Sequence, residues 1–368
     1  MSFSIAIRPS QCRTSCLRIA ALHPLLTRGC SPLDTSRTRL QAKRDVPTAR
    51  MSTQAAAATG AGGAAGLPTA DAFPTLVSPE WLHQRLGNPS LKVLDATWYL
   101  PNAGKDAVAE HRAERIPGAR FFDVERIADP ASVLPHMLPS EAQFAAAADA
   151  LRVADDDALV VYDNAGIFSA ARAWWTWHVF GHRRVAVLDG GLPAWKAAGY
   201  EVDASPVDEA ALHAPAEALR SPPGSARYKA QLDASQVRGW KQIQANVEAP
   251  EEQVVDARPA ARWRGEAPEP RPGLKSGRIP GSKSLPFADL LQDGRLRPRQ
   301  ELAAAFTEAG VDLARPTVFT CGTGTTACIL LLAAKQLDPA QRAAIYDGSW
   351  SEWGQLPDVP VATGPPSD

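Results

Sequence analysis

Short, continuously apolar runs alternate along this chain with longer stretches that carry apolar residues at helical spacing. "ALVVYD" (158–163) and "TVFTC" (317–321) read as strands buried on both faces, and each runs directly into a helical pattern. The order begins near "TLVSPEWLHQRL" at 75, where Ser78 is a credible N-cap and Pro79 a credible first helical residue. Strands alternating with helices in this way predict an α/β fold, each unit a mainly parallel sheet flanked by helices.

The pattern occurs twice. "KVLDATW" (92–98) answers "QVVDARP" (253–259), and "ERIPGARFF" (114–122) answers "GRIPGSKSLPF" (277–287). "ALVVYDNAGIFSAARAWW" (158–175) answers "TVFTCGTGTTACILLLAA" (317–334), and "VLDGGLPAW" (187–195) answers "IYDGSWSEW" (345–353). Four blocks in one order, offset by 158 to 163 residues, indicate a tandem duplication. The first copy is expected over residues 74–200, a linker over 201–233, the second copy over 234–360 and a tail over 361–368. The copies differ at one telling position: Asp163 in the first stands where the second has Cys321. The cleft between the copies is the default site.

Composition adds a leader. Hydrophobic residues make up 45% and charged residues 21%, which suits a globular body. The net charge of −1 conceals a basic start: residues 1–50 hold nine Lys/Arg against two Asp. An Arg-containing, acid-poor segment with apolar patches reads as an organelle transit peptide, mitochondrial or plastid. Residues 51–73, rich in Ala and Gly, read as a flexible connector, and Met51 offers a second start for a cytosolic form. No apolar run is long enough to span a bilayer, so no membrane partner is expected, and nothing points to nucleic acid. Cys12, Cys16 and Cys30 fall in the leader, leaving only Cys321 and Cys328 in the body. Two cysteines seven apart make neither a disulfide framework nor a zinc site, and no metal or organic cofactor is expected. His178 and His182 share helical spacing but read as a helix end with a Gly C-cap.

The loop after "TVFTC" carries the chemistry. Gly322 and Gly324 can take positive φ, which lets successive N–H groups converge on an anion, and the following helix contributes partial positive charge. Both effects favour negative charge on the Cys321 sulfur, making it the candidate nucleophile. Cys328, within the helix, reads as core. "ARWRGEAPEPRPG" supplies Arg262, Arg264 and Arg271, of which two could grip a carboxylate in bidentate fashion.

The loop "CGTGTTA", the paired "IPG" blocks, "DGG" and "DGSW", and the duplication resemble the two-domain rhodanese-family sulfurtransferases, on their 3-mercaptopyruvate branch. The likeness covers roughly residues 75–358. It implies tandem rhodanese-like domains with the active site in the interdomain cleft. It also implies a persulfide on Cys321 that passes sulfur from 3-mercaptopyruvate to cyanide or to thiols such as thioredoxin or glutathione, releasing pyruvate. The donor clamp would be Arg262 and Arg271, with Arg264 a structural ion-pair residue. Gly322, Gly324, Thr325 and Thr326 would shape the substrate loop. A proton relay would run through Thr323, His136 and Glu125, where the family often has Ser at 323 and animal members have Asp at 125. Gly322 and Thr323 stand where thiosulfate-specific members carry basic residues, so thiosulfate:cyanide transfer is the alternative activity. A non-catalytic scaffold is the alternative from another class. A cysteine phosphatase would need an arginine at 327, where this chain has alanine.

Overall fold

The computed structural model describes residues 66–220 and 226–365. The leader expected over 1–50 lies outside the described residues, as does most of the 51–73 connector. Its last part is packed: Leu67 and Phe73 lie against the core of the first sheet.

The first sheet contains β1 (Leu76–Val77), β2 (Leu91–Asp95), β3 (Arg120–Phe121), β4 (Ala158–Tyr162) and β5 (Val185–Leu188). Its order is β1-β5-β4-β2-β3 and every pairing is parallel. The second sheet contains β6 (Val237–Arg238), β7 (Gln253–Asp256), β8 (Lys283–Ser284), β11 (Thr317–Thr320) and β12 (Ala343–Tyr346). Its order, β6-β12-β11-β7-β8, is again wholly parallel and repeats the first sheet strand for strand. The one addition is a hairpin of β9 (Leu291–Gln292) and β10 (Arg295–Leu296). Central strands β4 and β11 are buried at every residue, as their unbroken apolar runs require when helices cover both faces. The N-terminal signal reads true in detail: Ser78 Oγ accepts from the Trp81 N–H at 3.2 Å, capping helix Pro79–His83.

Between the sheets the chain is not bare linker. Helix Glu209–Ala218 packs on helix Glu141–Ala150 and buries Leu212, Pro215 and Ala216. Near the C-terminus, the expected tail is tied to the body where Arg278 and Ala362 exchange backbone hydrogen bonds.

The copies meet through equivalent elements. Helix Ala170–Val179 follows β4, helix Ala327–Leu337 follows β11, and the two pack together within one continuous apolar core. One charge pair is sealed into this contact. Arg172 Nη1 of the first copy stands 2.7 Å from Asp347 Oδ1 of the second, with side chains 2% and 4% exposed. Arg172 also lies over the Trp175 ring, 4.6 Å from its centroid, and donates to the His136 carbonyl.

Removing one partner of such a pair strands a buried charge. Asp347→Asn should cost roughly 3–5 kcal/mol in denaturant unfolding, and the double variant Arg172→Met/Asp347→Leu should recover much of that loss. Equal stability of Asp347→Asn and wild type would show that the pair contributes nothing.

Candidate active site

Cys321 is the first residue beyond β11, at the carboxyl end of the central strand of the second sheet, and is 2% exposed. Such ends are where parallel α/β sheets open their binding crevices. The next five residues turn into helix Ala327–Leu337. Gly324 makes the turn possible. Its φ is 74°, and a Cβ there would stand 2.7 Å from Arg172 Nη1 and 2.8 Å from the Asp347 carbonyl. Gly322, expected to share the left-handed conformation, does not adopt it. A Cβ there would meet only Arg262 Nη2, at 3.4 Å, so this position does not demand glycine.

The segment Ser349–Ser351 pins the loop from below. Ser349 Oγ accepts from the Cys321 N–H at 3.2 Å. The Cys321 and Gly322 carbonyls accept from the N–H groups of Trp350 and Ser351 at 3.0 and 2.8 Å. Ser349 has a φ of 50°, where its counterpart in the first copy is Gly191 at 55°. The second copy therefore tolerates backbone strain in order to place a hydroxyl under the cysteine amide. Meanwhile the N–H groups of Gly322 through Thr326 donate to no group among the described residues.

The first copy shows what such N–H groups hold. Asp163 occupies the position of Cys321, and its carboxylate accepts from Ala165, Phe168 and Ala170 N–H at 2.8, 2.7 and 2.8 Å. Burial pushes this carboxyl up, and the three amides pull against that effect. The matching positions in the second copy are Thr323, Thr326 and Cys328. The Cys328 N–H is taken by the Thr325 carbonyl at 3.2 Å, leaving those of Thr323 and Thr326 open. The first-copy loop is also covered: a Cβ on Gly166 would lie 2.4 Å from the carbonyl of Gly294, in the β9–β10 turn.

Over Cys321, by contrast, lies a cleft of about 340 Å³. Trp98, Leu100 and Phe168 of the first copy face Arg262, Arg271 and Thr323 of the second across it. Gly322, Thr325 and Thr326 complete the floor, whereas Gly324 is buried beneath. Thr323 and Thr325 hydroxyls lie 3.2 Å apart. Of the expected clamp, Arg271 enters no ion pair among the described residues, but Arg262 is bound to Glu269 through Nε (3.1 Å) and Nη2. Arg264 pairs with Glu266 at 2.8 Å, in keeping with a structural role.

The expected relay is placed less directly. His136 lies behind the cleft wall, edge-on to Trp98 at 4.7 Å between ring centroids, with neither ring nitrogen hydrogen-bonded. Burial, reinforced by Arg172 and Arg271, lowers its pKa to about 3, so the imidazole is neutral at ordinary pH. Glu125 is exposed and accepts from Trp98 Nε1 at 3.4 Å. Neither residue lines the cleft. Cys328 is fully buried, donates to the Gly324 carbonyl at 3.2 Å, and has its thiol pushed up by burial.

Sequence reasoning missed four neighbours. Arg258 (buried, 4.2 Å over the Trp350 ring) and Glu269 line the cleft, and Ser351 adds a buried hydroxyl without a partner. Arg172 reaches the loop itself, donating to the Gly324 carbonyl at 3.4 Å. Guanidinium groups thus stand beside and beneath the loop, although Gly322 and Thr323 within it are uncharged. A lone arginine inside the apolar stretch "SAARAWW" was the available signal for Arg172.

The family model for the rhodanese-like domain matches residues 78–198 and 240–356. The mitochondrial thiosulfate/3-mercaptopyruvate sulfurtransferase 1 of Arabidopsis thaliana is 43% identical over 318 residues, covering 84% of this chain and 84% of its own length. The 3-mercaptopyruvate sulfurtransferase of Homo sapiens is 40% identical over 285 residues, 76% of this chain and 91% of its own. Among solved structures, the crystal structure of SseA, a 3-mercaptopyruvate sulfotransferase of Escherichia coli, superposes with a TM-score of 0.64 at 35% identity. It covers 76% of this chain and 99% of its own.

Two outcomes follow from this geometry. Gly324→Ala should destroy activity and destabilise the fold by about 2 kcal/mol or more, while Gly322→Ala retains both within a few-fold. Comparable losses in the two variants would refute the assigned difference. Stability should also fall on acidification from pH 6.5 towards 4. The unfolded chain then takes up a proton that buried His136 refuses, so the folded state is penalised by up to ~1.4 kcal/mol per pH unit. Denaturant titrations at pH 7 and 5 should show a smaller drop for His136→Gln; an unchanged drop would contradict the assignment.

Proposed function

The chain belongs to the rhodanese-like family and is a sulfurtransferase acting on 3-mercaptopyruvate; we propose that Cys321 carries the sulfur as a persulfide. One observation carries this reading. The first-copy loop is satisfied by its own carboxylate at Asp163, while the second presents a thiol at that position beneath an open cleft.

In the proposed cycle the Cys321 thiolate attacks the thiol sulfur of 3-mercaptopyruvate. An S–S bond forms, the donor's C–S bond breaks, and its electron pair leaves as the enolate of pyruvate, which takes up a proton. Arg271 and the outward N–H groups of Arg262 hold the donor carboxylate and steady charge growing on the keto oxygen. Thr323, which lines the cleft beside Cys321, passes the proton in this reading. His136 and Glu125 support that side of the cleft through Trp98, with neutral His136 able to donate or accept one hydrogen bond. The loop N–H groups of Thr323 and Thr326 hold the persulfide. An acceptor thiolate, such as that of thioredoxin or glutathione, then attacks the outer sulfur and releases the Cys321 thiolate. Cyanide attacks likewise, giving thiocyanate and a proton.

Thiosulfate is the secondary donor in this reading, because neither Gly322 nor Thr323 adds a cation beside the sulfur. Residues 74–200 serve as the shape-keeping copy and 234–360 as the catalytic one. For location we propose the mitochondrion, on the basic leader and the mitochondrial Arabidopsis relative.

Intact-mass analysis after brief exposure to 3-mercaptopyruvate without acceptor should show a gain of about 32 Da, lost with Cys321→Ser and reversed by cyanide. An unmodified wild type that still releases pyruvate would remove Cys321 from the cycle. The pair Gly322→Arg/Thr323→Lys should raise thiosulfate turnover and depress that with 3-mercaptopyruvate; a wild type that already prefers thiosulfate by kcat/KM would refute the charge argument.

A further inference from the structure

We propose that Glu269 sets donor selectivity by fixing the net charge of the cleft at a value matched to a monoanion. The inference rests on the reading that Cys321 takes sulfur from a donor bound in this cleft. Glu269 lines the cleft, yet its side chain is only 2% exposed. Its two oxygens serve two arginines: Oε1 accepts from Arg258 Nη1 at 2.7 Å, and Oε2 accepts from Arg262 Nε at 3.1 Å and from Nη2. Arg258 is also held by Asp256, Nη2 to Oδ2 at 2.7 Å.

Setting aside the Cys321 sulfur, whose charge the loop amides hold, the cluster places three guanidinium groups (Arg258, Arg262 and Arg271) against two carboxylates (Asp256 and Glu269), a side-chain balance of +1. The buried pair Arg172 and Asp347 cancels itself, and the Glu125 carboxylate is exposed on the far side of Trp98, outside the cleft lining. Arg271 is the cation left without an ion pair among the described residues. A 2-oxo acid presents one carboxylate, which Arg271 neutralises with help from the unused face of Arg262. A dianion such as thiosulfate would leave one negative charge uncompensated against Trp98, Phe168 and Phe287, where poor solvation makes that costly. Glu269 also fixes Arg262 by its fork, so the carboxylate meets a guanidinium already oriented.

The test compares kcat/KM for 3-mercaptopyruvate and for thiosulfate, with cyanide as acceptor, in wild type, Glu269→Gln, Glu269→Asp and Asn102→Lys. Glu269→Gln raises the balance to +2 while keeping an amide oxygen for the arginines. It should raise the thiosulfate-to-mercaptopyruvate ratio at least about tenfold, about 1.4 kcal/mol of differential binding. Glu269→Asp keeps the charge and should hold the ratio within about threefold. Asn102→Lys adds a cation from an exposed position on the opposite wall, leaves the Glu269 bridge intact, and should raise the ratio even if Glu269→Gln does not fold. Equal loss with both donors in Glu269→Gln, or an unchanged ratio in Asn102→Lys, overturns the proposal while persulfide formation on Cys321 stands. Absence of the persulfide in wild type with either donor would overturn the reading beneath it as well.

Discussion

Backbone N–H groups converging at the end of a central strand demand a negative charge, and this protein meets that demand twice by different means. In the first copy Asp163 supplies a carboxyl group and three amides close on it. In the second the residue is a cysteine and the amides of Thr323 and Thr326 stay unpaired. An unpaired donor that faces a cleft is free to hold an anion that enters it. The same turn is thus closed on a carboxylate in one half and left open beneath a cleft in the other.

Each copy also completes the other. The β9–β10 hairpin of the second half covers the first-copy loop, while Trp98, Leu100 and Phe168 of the first half wall the cleft over Cys321. Arg172 reaches across to the Cys321 loop and is neutralised there by Asp347. The first copy is therefore not free to drift. Its helix Ala170–Val179, its buried arginine and its aromatic wall are parts of the second copy's site.

Much of this was legible in the residues. Repeated blocks at nearly constant offset gave two sheets of identical order, and the Ser78-Pro79 pair marked a real helix start. The Asp163/Cys321 exchange pointed to the loop that lies beneath the cleft, because strand, glycines and helix are contiguous in sequence and local rules govern them. What could not be read were pairings between distant segments. Nothing in "EAPEPRPG" says that Glu269 folds back on Arg258 and Arg262, nor does "LPHMLPS" say that His136 is walled off behind Trp98. The helix within residues 209–218 was hidden by Pro215, which local propensity penalises and packing against helix Glu141–Ala150 overrides.

The claim on which the account turns is that the loop amides, assisted by the guanidinium groups around them, hold the anionic sulfur. A crystal structure of the protein after reaction with 3-mercaptopyruvate tests it most directly. The account predicts the outer sulfur on Cys321 within hydrogen-bonding reach of the Thr323 and Thr326 N–H groups, repeating the geometry of the Asp163 carboxylate. An outer sulfur turned away from both amides, towards solvent or held by side chains alone, would contradict it.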